Sequence, residues 1–194
     1  MRAFGRMRSL SDFLFADTSA SQMAEFAVSL PLLVVFVVGI FDFGEAFNVK
    51  QKLNGAAREG ARFASSLPTN DLSAGGAPDS ITAIRDLVAS YLTTARINHC
   101  GLDTQAATNA APTWTYAASG NGCAGTLTLT IERQYGFEET VPNATANINV
   151  ISTRVALSYP YPLRFGRVIK LVAPGAAYGG VIHISTDAVV PNMD

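Results

Sequence analysis

Glu25-Phe26-Ala27-Val28-Ser29-Leu30-Pro31-Leu32-Leu33-Val34-Val35-Phe36-Val37-Val38-Gly39-Ile40-Phe41-Asp42 decides how this chain is organised. Between its end carboxylates lie 16 residues without a charge, Phe26 to Phe41. As a helix that run is about 24 Å long, short of the roughly 20 apolar residues of a free-standing membrane span. Apolar and small residues resume at Gly44, Ala46 and Phe47. A transmembrane helix over residues 21–47 is therefore expected, with Asp42 and Glu45 at the far interface or facing a partner helix.

The flanks set orientation. Arg2, Arg6 and Arg8 precede the run, and Lys50 and Lys52 follow it. Basic residues are held back on the cytoplasmic side, so three against two places the N-terminus there. A cleaved secretory signal has a similar outline, but Glu25 and Asp42 bracket the run, and the helical pattern continues past the point where a signal peptidase would cut. Val49, Leu53, Ala56, Gly60, Phe63 and Leu67 recur at spacings of four and three, an apolar stripe on one helix face. The expected helix runs from about Ser21 to Ser66, bends near Pro31, whose ring removes a backbone bond, and ends before Pro68. Ala56, Gly60 and Ala64 fall four apart, with Phe63 beside them, and let another backbone approach closely. The stripe packs either on the chain's own domain or on another subunit; both fit if different faces are used.

Beyond Pro68 the composition turns to Thr, Asn, Ser, Ala, Gly and Pro, a loop through Pro78. Asp79 or Ser80 can cap a second helix at about Ile81 to Thr94, with Ile84, Leu87, Val88, Tyr91 and Leu92 on its apolar side. A short strand is expected at Thr113 to Tyr116. Three stretches then alternate with a period of two: Thr126 to Ile131, Ile151 to Tyr159, and Ile182 to Ala188. Pro160 and Pro162 end the middle one, since neither donates to a ladder. The pieces assemble as an α+β fold: a long N-terminal membrane helix continuing into a domain with a second helix and a three- to four-stranded antiparallel sheet. The divisions are 1–20 leader, 21–47 span, 48–67 continuation of the helix, and 68–194 domain.

Composition agrees with one domain plus a span: 194 residues, 48% hydrophobic. With 14 basic and 15 acidic side chains there is no field to gather phosphate backbones, so no nucleic-acid partner is expected. Cys100 and Cys123 lie on the same side of the membrane in a stretch without His or Cys at metal-ligand spacing around either. One disulfide is the economical reading, stabilising by about 3 kcal/mol on the chain-entropy model, and free thiols are the alternative. His99 and His183 are the only histidines, and no Gly-x-Ser-x-Gly, phosphate loop or paired-His spacing occurs. Adjacent His99 and Cys100 point apart on an extended chain, and His183 alternates onto a polar strand face. No enzyme activity, cofactor, metal or small-molecule substrate is expected. Asn143-Ala144-Thr145 has the spacing of a glycosylation acceptor.

Residues 17–67 also carry a combination of motifs: Ala24-Glu25-Phe26-Ala27, then Leu30-Pro31-Leu32-Leu33, then Gly39-Ile40-Phe41-Asp42-Phe43-Gly44, then Gln51-Lys52-Leu53-Asn54-Gly55-Ala56-Ala57-Arg58-Glu59-Gly60-Ala61-Arg62-Phe63-Ala64. The combination resembles the TadE-like family, minor pilins or pseudopilins of tight-adherence (Flp, type IVc) pilus systems. The resemblance implies a pilin-like fold in a bacterial inner membrane, an N-terminus in the cytoplasm, a periplasmic domain and a role in pilus assembly and adhesion. It also implies other pilin subunits and a prepilin peptidase as partners, with cleavage between Ala20 and Ser21, five residues before Glu25. Ala20 departs from the Gly usual in pilin precursors. The glutamate of such subunits is thought to pair with a neighbour's new N-terminal amine, and an ammonium partner offsets the cost of a carboxylate at the hydrocarbon edge. Facing water at the headgroups is the other reading of Glu25. An uncleaved anchored protein that holds another pilus component or an extracellular ligand is the alternative function.

Overall fold

Leu, Val, Phe and Ala without an interruption stronger than one proline give a single helix, α1, over Thr18–Ser65, 48 residues that pass through Pro31. The computed structural model describes residues 18–73, 76–108, 111–139, 148–166, 169–170, 174–175 and 180–193. Arg2, Arg6 and Arg8 of the leader and the Asn143 acceptor lie outside the described residues.

α2 spans Asp79–Thr94 and buries Ile81, Ile84, Val88 and Leu92 at helical spacing. Its start corrects the expected cap: Pro78 occupies the N-cap position and no side chain caps there. The carboxylate of Asp71, from the preceding turn, instead accepts the Ser80 N–H at 3.2 Å. Tyr91 stays 36% exposed rather than joining the apolar side. α2 ends in a Schellman turn, with Ile97 N–H donating to Leu92 O at 2.8 Å and Arg96 N–H to Thr93 O at 3.0 Å. Arg96 is thereby held at φ 59°, a left-handed conformation where glycine is the easy choice.

Four strands follow, β1 (Thr113–Ala118), β2 (Leu127–Glu139), β3 (Ile148–Pro162) and β4 (Val181–Pro191), paired antiparallel in sequence order. Both helices cover one face of this sheet, so the layers are those of an α+β fold. Trp114, Tyr116, Leu127, Leu129, Ile131, Val155 and Leu157 point inward against Leu53, Ala56, Ile81 and Ile84, all within 2% of full burial. A fully buried Leu or Ile contributes about 1.5–3 kcal/mol, so this cluster is the main stabilising term.

Two expectations about β3 need correction. The strand continues through Pro160 and Pro162, which pair with His183 and Val181 of β4. Leu163 N–H donates to Gly180 O, so odd residues of β3 face β4 and even ones face β2. Pairing with β2 ends at Thr128↔Ser158, so the two prolines turn their missing N–H toward an edge with no ladder. Ile151 is not inward either: it is 61% exposed. Its carbonyl bonds Asn192 N–H, and the next residue, Met193, bonds Ser65 at the end of α1, so Ile151 lies where the helical cover stops.

The last turn of a helix leaves carbonyls without partners. In α1 they are satisfied one by one. Ser65 Oγ donates to Arg62 O at 2.8 Å, Ser66 Oγ to Phe63 O at 2.8 Å, and Met193 N–H to Ser65 O at 3.1 Å. Fully buried Arg133 donates to Ala64 O and, at 2.8 Å, to Leu67 O, placing a cation at the negative end of the helix dipole. Asn192 completes the clamp, accepting from Thr153 Oγ1 at 2.6 Å and donating to Arg133 O at 3.2 Å. Arg133→Met removes the donors and leaves buried carbonyls unsatisfied. It is expected to destabilise the domain by about 2–4 kcal/mol, read as a clear drop in the thermal midpoint of the full chain in detergent; a midpoint within a degree of the parent would refute the clamp.

Candidate functional site

The membrane-facing half of α1 and its junction with the domain form the candidate site. Met23, Phe26, Val28, Leu32, Leu33, Phe36 and Ile40 lie on a helix half that the other described residues leave uncovered. Only 11% of its most apolar 18-residue window is buried, where a soluble protein's core helix would be mostly covered. Among the described residues it is the one helix long and apolar enough to cross a membrane. A contiguous apolar surface of this size requires lipid or another protein.

The junction explains how the carboxylates at Asp42 and Glu45 fit such a span. Asp42 is fully buried, and its two oxygens accept the N–H groups of Arg164 and Phe165, each at 3.3 Å. Glu45 is paired with Arg164, Oε1 to Nη2, at 2.6 Å. The segment after β3 thus folds down on the helix, buries Asp42 and gives the partly exposed Glu45 an ion-pair partner. Asp42 does not turn to a partner helix, as the sequence alone allowed; its acceptors are used within the chain. Phe43 and Phe47 remain 65% and 62% exposed, so the apolar face runs from Phe26 to Phe47. That is about 33 Å of helix, enough for a hydrocarbon core of roughly 30 Å, whereas the charge-free run alone was too short.

Glu25 stands exposed near the start of this face and makes no ion pair among the described residues. Ser21 is exposed, and the Ala20–Ser21 bond lies within the first helical turns. Pro31 is half-buried on the projecting part.

The small residues have a different position. Ala56, Gly60 and Ala64 are buried in the chain's own core, and Phe63 packs at its margin. A Cβ at Gly60 would come within 2.9 Å of Val88 Cγ2 and 3.5 Å of Val155 Cγ1, so the glycine is required for α2 and β3 to reach α1. The close approach is real, and its partner is this domain. Cys100 and Cys123 form a disulfide with Cα atoms 5.5 Å apart. His99 pairs with Asp103 at 3.4 Å, and His183 is exposed on β4. Among the described residues no group of three His, Cys, Asp or Glu is placed to hold a metal.

Arg133, Arg164 and Lys52, whose Nζ donates to Ala95 O at the end of α2 at 3.0 Å, escaped the sequence reading. Arg133 left a trace: it continues the inward alternation of Leu127, Leu129 and Ile131, and a cation at an inward position needs acceptors.

Residues 20–62 match the family described as TadE-like protein, a stretch that coincides with α1 from the foot of its apolar half to its packed half. No curated protein and no solved structure matches the chain.

The Asp42 junction is testable by proteolysis. Asp42→Ala removes the acceptor of two backbone N–H groups at Arg164 and Phe165, a local loss of about 1.5–3 kcal/mol. Tryptic cleavage after Arg164 in the detergent-solubilised full chain should accelerate at least about tenfold, through local opening. Cleavage at the parent rate would show that the carboxylate does not hold this segment.

Proposed function

We propose that this chain, with its TadE-like region, is a structural subunit of a tight-adherence (Flp, type IVc) pilus system, a minor pilin or pseudopilin that supports filament assembly and so surface adhesion. One observation carries the reading: the TadE-like match falls on a helix whose apolar half has no cover among the described residues while its other half is locked into the domain. Such a subunit can sit in a bilayer and later exchange lipid for neighbouring helices without refolding its domain. The match over residues 20–62 supports a place in the pilus system; that place and the particular role are our inference, as are an inner-membrane location, a cytoplasmic N-terminus and a periplasmic domain.

In this reading a prepilin peptidase cuts between Ala20 and Ser21, and Ser21 becomes the new N-terminus. Glu25 then sits one helical turn from that amine. An exposed carboxylate at the foot of an apolar helix is costly in hydrocarbon, and a neighbour's ammonium offsets part of the cost. The role is structural; no catalytic step is assigned.

The helix itself favours a second reading. α1 is already helical at Thr18, so the Ala20–Ser21 bond lies inside it. A permanently anchored, uncut protein that holds another pilus component or an extracellular ligand would keep that helix whole.

Intact mass of the protein from its native membrane separates the two. A form beginning at Ser21 is expected; a form that retains Met1 supports permanent anchoring, and cleavage near Gly44 or Ala46 would remove both. Glu25→Ala should leave the thermal midpoint of the domain unchanged while lowering the amount of subunit recovered with sheared pili several-fold. Parental recovery of that variant would take away the role given to Glu25.

A further inference from the structure

The junction between span and domain carries a groove to which the proposed function gives no role. Its upper part is a cleft of about 330 Å³ lined by Glu45, Lys52, Arg96, Tyr159, Tyr161 and Arg164 among others. Its lower part, about 430 Å³, shares Glu45 and Arg164 and adds Ile40, Phe41 and Phe165. These volumes lie in the range of ligand pockets. The two parts run along the same side of α1, apolar at the level of Ile40 and cationic at the level of Lys52.

Charge is uneven in the upper cleft. Lys52, Arg96 and Arg164 face one carboxylate, Glu45, which Arg164 already engages. Lys52 spends one of its three donors on Ala95 O and keeps two. Arg96 has no carboxylate partner among the described residues. It occupies the left-handed position that closes α2, where glycine would fit without strain. Tyr159, half-buried at the wall of the cleft, adds an amphipathic ring of the kind enriched at membrane–water boundaries.

We infer that this groove binds one anionic phospholipid of the leaflet on the domain's side. The phosphate lies among Lys52, Arg96 and Arg164, and the upper acyl segment lies against Ile40, Phe41 and Phe165. The polarity of the groove runs in the same sense as that of a lipid in the bilayer. The exposed apolar face ends near Phe47, and Lys52 is about 7.5 Å further along the helix, at headgroup depth. Guanidinium and ammonium donors suit a phosphate's oxygens, and the surplus of cations selects a lipid with net negative charge. The inference rests on reading α1 as a membrane span.

Native mass spectrometry of the full chain, released from micelles doped with phosphatidylglycerol or phosphatidylcholine, tests it. One retained phosphatidylglycerol is expected, and at least tenfold less phosphatidylcholine. Arg96→Gly should relieve the left-handed strain and hold or raise the thermal midpoint, yet lower lipid retention about tenfold; Arg96→Glu should lower it further. Lys50→Glu, beside His183 in a different cleft, should change nothing. Equal retention by Arg96→Gly or equal retention of both lipids would each overturn the inference. A chain that inserts into vesicles but retains no lipid overturns the groove alone; a chain that fails to insert overturns the span as well.

Discussion

One continuous helix must satisfy two surroundings, and the burial of Asp42 is the interaction that lets it do so. A carboxylate at residue 42 would otherwise cut the apolar face short by several residues. By accepting the Arg164 and Phe165 N–H groups it serves as an anchor for the segment after β3, and that segment in turn supplies Arg164 to Glu45. The charges that seem to end the span therefore attach the domain to it. The domain's position relative to the apolar half is fixed by this contact and by the packing above it.

That packing depends on small residues. Ala56, Gly60 and Ala64 bring α2 and β3 close to α1, and the sheet closes over them with Trp114, Leu129 and Val155. At the far end, Arg133 and Met193 take up free carbonyls at the end of α1, and Asn192 holds Arg133 through its carbonyl. α1 is thus held at its middle and its end while its first half is left without cover. The packed half of the helix is thereby fixed against the sheet at several points along its length.

The motifs that carried the resemblance fall into two physical groups. Glu25, Pro31 and the Val- and Phe-rich stretch belong to the uncovered half, where none of the other described residues packs on them, so their reason must be sought in lipid or in neighbours. Gln51 to Ala64 belong mainly to the packed half, where the core explains the small residues without any partner. The motif therefore joins an uncovered stretch to an ordinary packing feature, and only the first bears on what the chain meets.

The span, its stripe, the second helix, the strand-forming stretches and the cysteine pair were legible in the sequence, because each rests on local periodicity, composition or a count of two thiols. β3 was misread at both ends. A proline is harmless or fatal according to which neighbour its nitrogen faces, and whether Ile151 is covered depends on where α1 stops. Asp79 and Ser80 looked like caps because local rules could not see Asp71 arriving from another turn. Arg133, Lys52, Arg164 and the inward turn of Asp42 likewise depend on groups more than 40 residues away in the chain. By itself the sequence determined which segments are apolar and with what period, since that property is carried residue by residue. Only the tertiary structure decided which charges those segments bury, because a charge inside a fold is tolerated solely where distant backbone supplies its partners.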